Sequence, residues 1–401
     1  MQSNKKLLII GAHWPNPNGS GTGTRMIQLI ETFQSQYEIH FATVLPIDDN
    51  FCNRHTIYGH RIELNNQSFN EFVGEYSFSH VLYDRFMIEE QYSWRIRKVL
   101  PECIHILDTE DLHFLRKARE EAYLKDFIVN FDNEYTYREI AAILRVDYSL
   151  IIANYEIELL KSHFNIPLEK LVFVPFLYEN IECPIVNFDD REHFVFVGSG
   201  KHRPNIETIK LLKNSIWPLI RQSLPKVELH IYGYELPAFV NQMHSKKEGF
   251  IVKGYCENIE IELSKYKLML APIPYGAGIK TKIFDALKCS LPINGTVYLW
   301  EGISSEKIAL NSIETIDKQL FVSKSVKLYQ DHSLLGELLN YQLELCNTLL
   351  KRQTTVKKVL LNTILVGSSS KLSIEQRMIR YFSQKQYEFF SRFLEQKNIN
   401  S

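Results

Sequence analysis

The stretch from Ala271 to Leu287 has the residue types and spacing of an anion-binding loop. Its sequence is APIPYGAGIKTKIFDAL, in which a buried strand is predicted to end at Pro272 and a helix to begin near Thr281. Two glycines between these points, Gly276 and Gly278, allow tight backbone turns and a close approach to a ligand. The pattern predicts a loop at a strand end with backbone N–H groups directed toward a bound group.

Three charged side chains follow at the start of the predicted helix. Lys280 and Lys282 bring positive charge to a place where free N–H groups attract phosphate oxygens. Asp285 lies one helical turn further on, in line with a sugar hydroxyl. Together these residues fit a nucleoside diphosphate lying across a strand end. The alternative is an ordinary strand–helix loop with solvated lysines.

A second glycine-containing segment runs from Phe194 to Ile209. It contains a predicted strand, a loop that begins at Gly198, a basic group and a Pro-Asn helix start. Arg203 or Lys201 is expected to face the phosphates from the other side of the ligand. A solvated loop is the alternative.

The loop after the first predicted strand is also rich in glycine, and its glycines are Gly19, Gly21 and Gly23. A dinucleotide fingerprint needs its first glycine almost directly after the strand. Here Gly19 lies well beyond Gly11, so the fingerprint is not met and an NAD enzyme is disfavoured. Asp48 and Asp49, after the second strand, keep that alternative open.

Polar residues follow the predicted strand Ile104–Leu107 in the sequence DTEDLH. Asp108, Asp111 and His113 are expected at the carboxyl end of this strand, where α/β folds place ligands. A sugar hydroxyl or a phosphate would suit His113. The alternative is that Asp111 caps a helix and His113 lies on the surface.

The apolar runs that position these segments alternate with helical patterns throughout the chain. Strand, loop, helix and strand recur in both halves, which predicts an α/β fold with two Rossmann-like domains in tandem. We expect a first domain over residues 1–180, a linker over 181–192, a second domain over 193–370 and a C-terminal helix over 371–401.

Composition places few further limits. A 401-residue chain with 45% hydrophobic and 23% charged residues is typical of a globular protein of two domains. The net charge of −1 gives no reason to expect a nucleic-acid partner. The six cysteines include no C-x-x-C pair, which predicts reduced thiols and no metal site. No apolar run is long enough for a signal peptide or a membrane span, so a cytoplasmic location is expected.

The tail over residues 373–397 is aromatic and helical in pattern. One amphipathic helix cannot bury its own apolar face, so we expect this helix to cover the first domain. The alternative is contact with a partner or with the inner face of a membrane, through aromatic and basic residues. These residues are Phe382, Tyr387, Phe389, Phe390, Phe393, Lys385, Arg392 and Lys397.

The Ala271–Leu287 stretch resembles the donor-binding motif of family 4 retaining glycosyltransferases of bacterial type. The residues Gly278-Ile279-Lys280-Thr281-Lys282 match the family's Gly-Ile-Lys-x-Lys pattern, and a Leu-Pro pair at 291–292 follows as in the family. Two positions depart from it. Asp285 stands where the family has a ribose-binding Glu, and Ala277 stands at the first acidic position of its E-x7-E motif.

The resemblance is strong over residues 193–296 and loose over the rest of 7–305. It implies the GT-B architecture, with two facing Rossmann-like domains and a C-terminal helix that returns to the first. It also implies that the amides of residues 276–279 and 281, with Lys280 and Lys282, hold the donor diphosphate, and that Asp285 holds the ribose. The loops at Gly19 and Gly198 would border the donor, and Asp108 and Asp111 would contact sugar or acceptor.

The function implied is a retaining, metal-independent hexosyl transfer, in which a nucleotide sugar is the substrate and no cofactor takes part. Lys280, Arg203 and His113 are the expected catalytic residues, and the acceptor would be a glycan, a lipid-linked glycan or a protein. The alternatives are a sugar-nucleotide epimerase or hydrolase of the same fold, and a non-catalytic partner of another transferase.

Overall fold

The computed structural model describes residues 5–17, 21–125, 128–178, 181, 184, 186–303, 316–366 and 373–399. These residues form two α/β units, each built on a fully parallel sheet with helices on both faces. The apolar runs predicted from the sequence supply most of the strands, and their side chains are almost wholly buried. Sheets covered on both sides require such continuous apolar strands.

The first sheet has seven strands in the order β3-β2-β1-β4-β5-β6-β7. They are β1 (Lys5–Ile10), β2 (Tyr37–Thr43), β3 (Tyr58–Arg61), β4 (His80–Asp84), β5 (Ile104–Asp108), β6 (Tyr148–Ile151) and β7 (Leu171–Phe173). The strand order reverses between β1 and β4, and a crevice at the carboxyl ends of the strands is expected at that point.

Seven helices cover this sheet in two apolar layers. They are α1 (Gly21–Phe33), α2 (Asp49–His55), α3 (Ser68–Tyr76), α4 (Phe86–Val99), α5 (His113–Lys125), α6 (Glu134–Arg145) and α7 (Asn154–Phe164). Two of them, α1 and α5, begin close to the carboxyl ends of β1 and β5, so their first turns border the crevice.

The second sheet has five strands in the order β10-β9-β8-β11-β12, which reverses between β8 and β11. They are β8 (Glu192–Val197), β9 (Leu229–Tyr232), β10 (Phe250–Gly254), β11 (Tyr266–Ala271) and β12 (Ile293–Gly295). Its helices are α8 (Arg203–Leu211), α9 (Trp217–Ser223), α10 (Ala238–Asn241), α11 (Ile259–Leu263), α12 (Lys282–Lys288), α13 (Val297–Trp300), α14 (Lys318–Gln330) and α15 (His332–Leu350).

The last two helices, α16 (Gln353–Val366) and α17 (Ile374–Ile399), lie on the first domain. Val356, Leu360 and Ile364 of α16 are buried in the apolar cluster that contains β1. The expected domain boundary at residue 370 assigned α16 to the second domain, but its apolar face packs on the first, so the chain crosses back before α16. Helix α17 contacts α4 and α6. Among the described helices, none combines the length and the apolar character that a membrane span requires.

Candidate active site

A cavity of about 940 Å³ lies between the two domains, at the carboxyl ends of both sheets. The first domain contributes the starts of α1 and α5 and the residues that follow β4 and β5. The second domain contributes the loops after β8, β9 and β11 and the first turn of α12. A volume of this size suits a small-molecule ligand the size of a nucleotide sugar.

The loop between β11 and α12 crosses this cavity and touches the first domain. Gly278 adopts a φ of +64°, and a Cβ atom there would come within 2.7 Å of the Cβ of Asp111. Only glycine combines that backbone conformation with such a close approach. The N–H of Gly278 donates to Tyr155 Oη at 2.8 Å and to Glu156 Oε1 at 3.0 Å. The sequence predicted that this amide binds a phosphate, whereas here two side chains of the first domain occupy it.

The neighbours of Gly278 are also held by the first domain. The carbonyl oxygen of Gly276 accepts a hydrogen bond from Arg119 Nη1 at 2.7 Å. Ala277 packs into the apolar cluster of the first domain, and Ile279 packs in the cluster that joins the domains. Ala277 also lines the cavity, so its small side chain lies between this apolar cluster and the space for a ligand.

The two lysines of the motif reach the cavity as predicted, and both are buried. Lys280 Nζ donates to the carbonyl of Gly278 at 2.9 Å, and Lys282 Nζ donates to Asn205 Oδ1 at 2.8 Å. Both acceptors are neutral, and within the described residues neither lysine has a carboxylate oxygen within 4 Å. Burial lowers the pKa of Lys280 to about 8 and that of Lys282 to about 7, the latter with help from the charge of Lys280. The site is therefore suited to an anionic ligand.

Asp285 and Thr281 also line the cavity. Burial raises the pKa of the Asp285 carboxyl to about 6, although Lys288 and Lys282 favour its charged form. The methyl group of Thr281 points toward Gly21 of the first domain. A Cβ atom added to Gly21 would lie 2.7 Å from that methyl group. The α12 side of the cavity thus carries positive charge at its first turn and an acid one turn further on.

The segment after β8 has one buried and one exposed part. Gly198 packs so closely on Asn205 that a Cβ atom would lie 2.6 Å from that side chain, and Asn205 in turn holds Lys282. Lys201 is largely exposed and pairs with Glu235 at 3.0 Å. Arg203 Nε lies 3.0 Å from Glu120 Oε1 of α5, across the cleft. Both basic residues border the cavity, and each is paired with a carboxylate.

The predicted glycines of the first domain have different positions. Gly21 begins α1 and lines the cavity. Gly23 is buried, and a Cβ atom there would lie 2.2 Å from the carbonyl oxygen of Asn16. This glycine therefore allows two backbone segments to pack closely, and it is not part of the cavity lining. Gly19 lies outside the described residues.

The acidic residues at and beyond the carboxyl end of β5 do not all face the cavity. Asp108 is fully buried, where Arg25 Nε and Nη2 donate to its Oδ1 at 2.9 and 2.7 Å. Both oxygens of Asp108 accept from Arg25, which itself lines the cavity, so the contact of Asp108 with sugar or acceptor stays a prediction. Asp111 does line the cavity. Burial opposes its ionisation, but Arg116, His113 and other nearby cations lower its pKa.

His113 begins α5 and faces the cavity as predicted. Its Nδ1 lies 3.5 Å from the buried carboxylate of Glu139, and its Nε2 lies 4.0 Å from Asp111. Neither His113 Nδ1 nor Glu139 Oε1 makes a hydrogen bond within the described residues, whereas Glu139 Oε2 accepts from the N–H of Phe114. The ring can present a donor to a bound oxygen.

Comparison with known proteins supports a single class of enzyme. Residues 191–330 match the family model described as glycosyl transferases group 1. The chain is a glycosyltransferase with the GT-B fold. The predicted fold and enzyme class are thereby confirmed. None of the curated proteins compared with the chain matches it.

Solved structures that share the fold are distant in sequence. A mutant of Staphylococcus aureus TarM, with fondaparinux, alpha-GlcNAc-glycerol and UDP, is 10% identical with a TM-score of 0.64, over 90% of this chain and 99% of that one. The pneumococcal O-GlcNAc transferase GtfA, with UDP and GlcNAc, is 12% identical with a TM-score of 0.60, over 89% and 99%. Anabaena HepE, with UDP-glucose, is 10% identical with a TM-score of 0.62, over 90% and 100%.

The structure of this glycosyltransferase adds cavity residues that the sequence did not single out. Glu110 and Arg85 line the cavity with φ angles of +60° and +72°. Such strain in non-glycine residues clusters at functional sites. Burial, followed by the charge of Asp84, raises the pKa of Glu110 well above its usual range. The DTED sequence contains Glu110, but no local pattern shows that it, and not Asp108, faces the cleft.

A buried ion pair joins the domains beside the cavity. Arg119 of α5 donates to both carboxylate oxygens of Glu301, at 2.7 and 2.8 Å, and both side chains are inaccessible or nearly so. Bidentate pairs of this kind fix geometry as well as charge. With the Arg119–Gly276 contact, the pair holds the loop between β11 and α12 against the first domain. Neither residue lies in a motif, so no local pattern indicates this contact.

One trio of possible metal ligands occurs among the described residues, away from the cavity lining. His193, Glu228 and His230 have ligand atoms within 4.8 Å of one another. The neighbouring strands β8 and β9 bring the two histidines together. The N–H of Glu228 donates to His193 Nδ1 at 3.3 Å, which leaves the ring proton on Nε2, and the Glu228 carboxylate accepts from His230 Nε2 at 2.8 Å. The two ring nitrogens that face the Glu228 carboxylate, His193 Nε2 and His230 Nε2, thus both carry protons.

Proposed function

We propose that this chain transfers a hexose from a nucleoside diphosphate sugar to a hydroxyl of a glycan, a lipid-linked glycan or a protein, with retention of configuration as in family 4 glycosyltransferases. The observation that carries the proposal is the pair of buried ammonium groups at the start of α12, Lys280 and Lys282, which bond neutral acceptors in the cavity between the domains. A diphosphate supplies the negative charge that these groups lack.

In the proposed reaction, the bond between the anomeric carbon and the diphosphate oxygen breaks, and its electron pair stays on the diphosphate. The acceptor oxygen bonds to the same face of the sugar, and the acceptor proton passes to the leaving diphosphate. Lys280 and Lys282 stabilise the charge that develops on the leaving group. Arg203 would approach the diphosphate from the other side if it exchanged Glu120 for a phosphate oxygen.

The first-domain wall would hold the transferred sugar. His113 can donate to a sugar hydroxyl, and Asp111 can accept from another. Asp285, one helical turn into α12, would bind a ribose hydroxyl. Its side chain is one methylene shorter than the Glu of the family motif, so we expect a weaker ribose contact and not a missing one.

The donor base is the first point to test. TarM and GtfA were solved with UDP and HepE with UDP-glucose, so UDP-sugars are the first donors to try. Release of UDP that depends on an added acceptor, with a glycosylated product, would support transfer. Release of free sugar without any acceptor would support the hydrolase alternative instead.

The role of Lys280 is tested in the same assay. We expect Lys280→Ala to lower kcat/KM for the donor by about 30- to 1000-fold, the equivalent of about 2–4 kcal/mol for one buried charge-assisted contact. The matched control is Lys265→Ala, because Lys265 is an exposed lysine paired with Glu262 outside the cavity. A change of less than threefold for Lys280→Ala would remove Lys280 from the diphosphate site.

We also propose that the reaction needs no divalent ion, because two lysines can neutralise the diphosphate in place of a metal. Activity with the true donor should be unchanged in excess EDTA. A loss of activity that manganese or magnesium restores would contradict this part of the proposal.

A further inference from the structure

Helix α17 is fixed to the first domain by one face only. Arg380 Nε donates to the carbonyl of Arg145 at 3.0 Å, and Tyr387 Oη donates to Glu90 at 2.9 Å. Ser391 is buried and accepts a hydrogen bond from Arg95 at 3.1 Å. These contacts set the rotation of the helix about its axis, and so they also decide which side chains point away from the protein.

The opposite side of the helix, which we call the outer face of α17, consists of large apolar side chains that are 53–66% exposed. They are Ile374, Met378, Tyr381, Phe382, Phe389, Phe390 and Phe393. Spacings of three, four and seven residues place most of them along one stripe. A contiguous apolar surface of this kind is uncommon on a monomer and indicates an interaction site.

Basic residues accompany this stripe. Arg377, Lys385, Arg392 and Lys397 are all exposed, and the helix has five basic residues against three acidic ones. Lys385 lies within the stripe itself, between Phe382 and Phe389. Protein interfaces are depleted in lysine at their centres, whereas lysine and arginine beside an apolar face reach lipid headgroups with their long side chains.

An apolar groove of about 730 Å³ continues this surface. It lies between α6 and Ile379 of α17, and most of its lining is aliphatic or aromatic. Exposed Ile128 precedes it, and Tyr137 within it is also exposed. Thr136 lines the groove while Tyr135, one residue before, lines the central cavity. The apolar surface therefore reaches the rim of the candidate active site.

We propose that the outer face of α17, together with the α6 groove, docks this enzyme on the surface of an anionic lipid bilayer. The aromatic side chains enter the boundary between headgroups and acyl chains, and the basic side chains contact lipid phosphates. A bilayer accounts for both features, because it offers an apolar layer directly beneath a layer of negative charge.

The test uses the full chain and sedimentation with vesicles. We expect binding to vesicles of phosphatidylcholine and phosphatidylglycerol in equal parts, and at least tenfold weaker binding to phosphatidylcholine alone. The triple variant Phe382→Ser/Phe389→Ser/Phe393→Ser should lose at least tenfold in binding, with unchanged melting temperature. A charge variant, Lys385→Gln/Arg392→Gln, should weaken binding to the anionic vesicles only.

The matched control is Tyr58→Ser/Phe239→Ser/Tyr341→Ser, which removes three exposed aromatic side chains elsewhere on the surface and should bind vesicles like the natural chain. Failure of the natural chain to bind anionic vesicles would overturn the proposal. So would equal loss in the control variant. A dimer in sedimentation velocity that the α17 triple variant converts to a monomer would assign the outer face to a second copy of the chain, and would also overturn it.

Discussion

Binding of a nucleotide sugar should be accompanied by uptake of protons from solution. Burial lowers the pKa of Lys280 to about 8 and of Lys282 to about 7. A bound diphosphate favours the charged form of both lysines and raises both pKa values. Each lysine that is neutral before binding must therefore take up a proton, and the affinity must be higher at lower pH.

The size of the effect follows from these two values. At pH 7 about one-tenth of Lys280 and half of Lys282 are neutral, so binding takes up about 0.6 proton; at pH 8 the figure is about 1.4. The dissociation constant should accordingly rise about twofold from pH 6 to pH 7 and about tenfold from pH 7 to pH 8. Both lysines are charged at pH 6, so the dependence should level off there.

Isothermal titration calorimetry with UDP-glucose measures this directly. The diphosphate of that ligand is a diester and does not itself titrate near neutral pH. Titrations in two buffers of different ionisation enthalpy give the number of protons taken up. Lys282→Met should remove about half a proton at pH 7, and the surface control Lys265→Met should remove none. Uptake below about 0.2 proton at both pH values, with binding intact, would show that the diphosphate does not contact these lysines.

Two further predictions concern the contacts that join the domains. Arg119→Met leaves the Glu301 carboxylate buried without its partner, so the free energy of unfolding in urea should fall by about 3–5 kcal/mol; the double variant Arg119→Met/Glu301→Leu should recover most of the loss, and no recovery would mean that the pair is not coupled. Burial raises the pKa of Glu156 from 4.5 to about 8, so its contribution to stability is present below about pH 4.5 and is lost as the pH rises through 8. Glu156→Gln can still accept from Gly278 and Leu112, and its melting temperature should fall less than that of the natural chain between pH 5 and pH 8; parallel curves would refute this.

The sequence predicts the central strands of the sheets better than it predicts the helices and the edge strands. Buried parallel strands are continuous apolar runs, and β1, β5 and β11 could be recognised as such. Strand β3 was not predicted, because its sequence YGHR has no apolar run and it lies at the edge of the sheet. The sequence predicts a helix start at the Pro-Asn pair, but not the π-helical turn at Leu212–Ile216 that separates α8 from α9.

The residues of the candidate site could be predicted where they belong to a local sequence motif. The turn at Gly278, the two lysines and Asp285 are encoded within a few residues of one another, and the structure brings all four to the cavity or its loop. Residues whose role depends on the other domain, such as Arg119 and Glu156, have no local pattern. The tail shows the same limit. An amphipathic helix was expected to cover the first domain, and α17 does so, but only tertiary contacts decide that its aromatic stripe points outward.

The loop between β11 and α12 is held at three successive positions by the first domain: the carbonyl of Gly276 by Arg119, the methyl group of Ala277 by an apolar cluster, and the N–H of Gly278 by Glu156. The carboxyl group beside this loop is that of Glu156, from α7 of the first domain. Since the same loop presents Lys280 to the cavity, its conformation depends on contact between the domains, and variants of Glu156 should affect nucleotide affinity although Glu156 itself does not line the cavity.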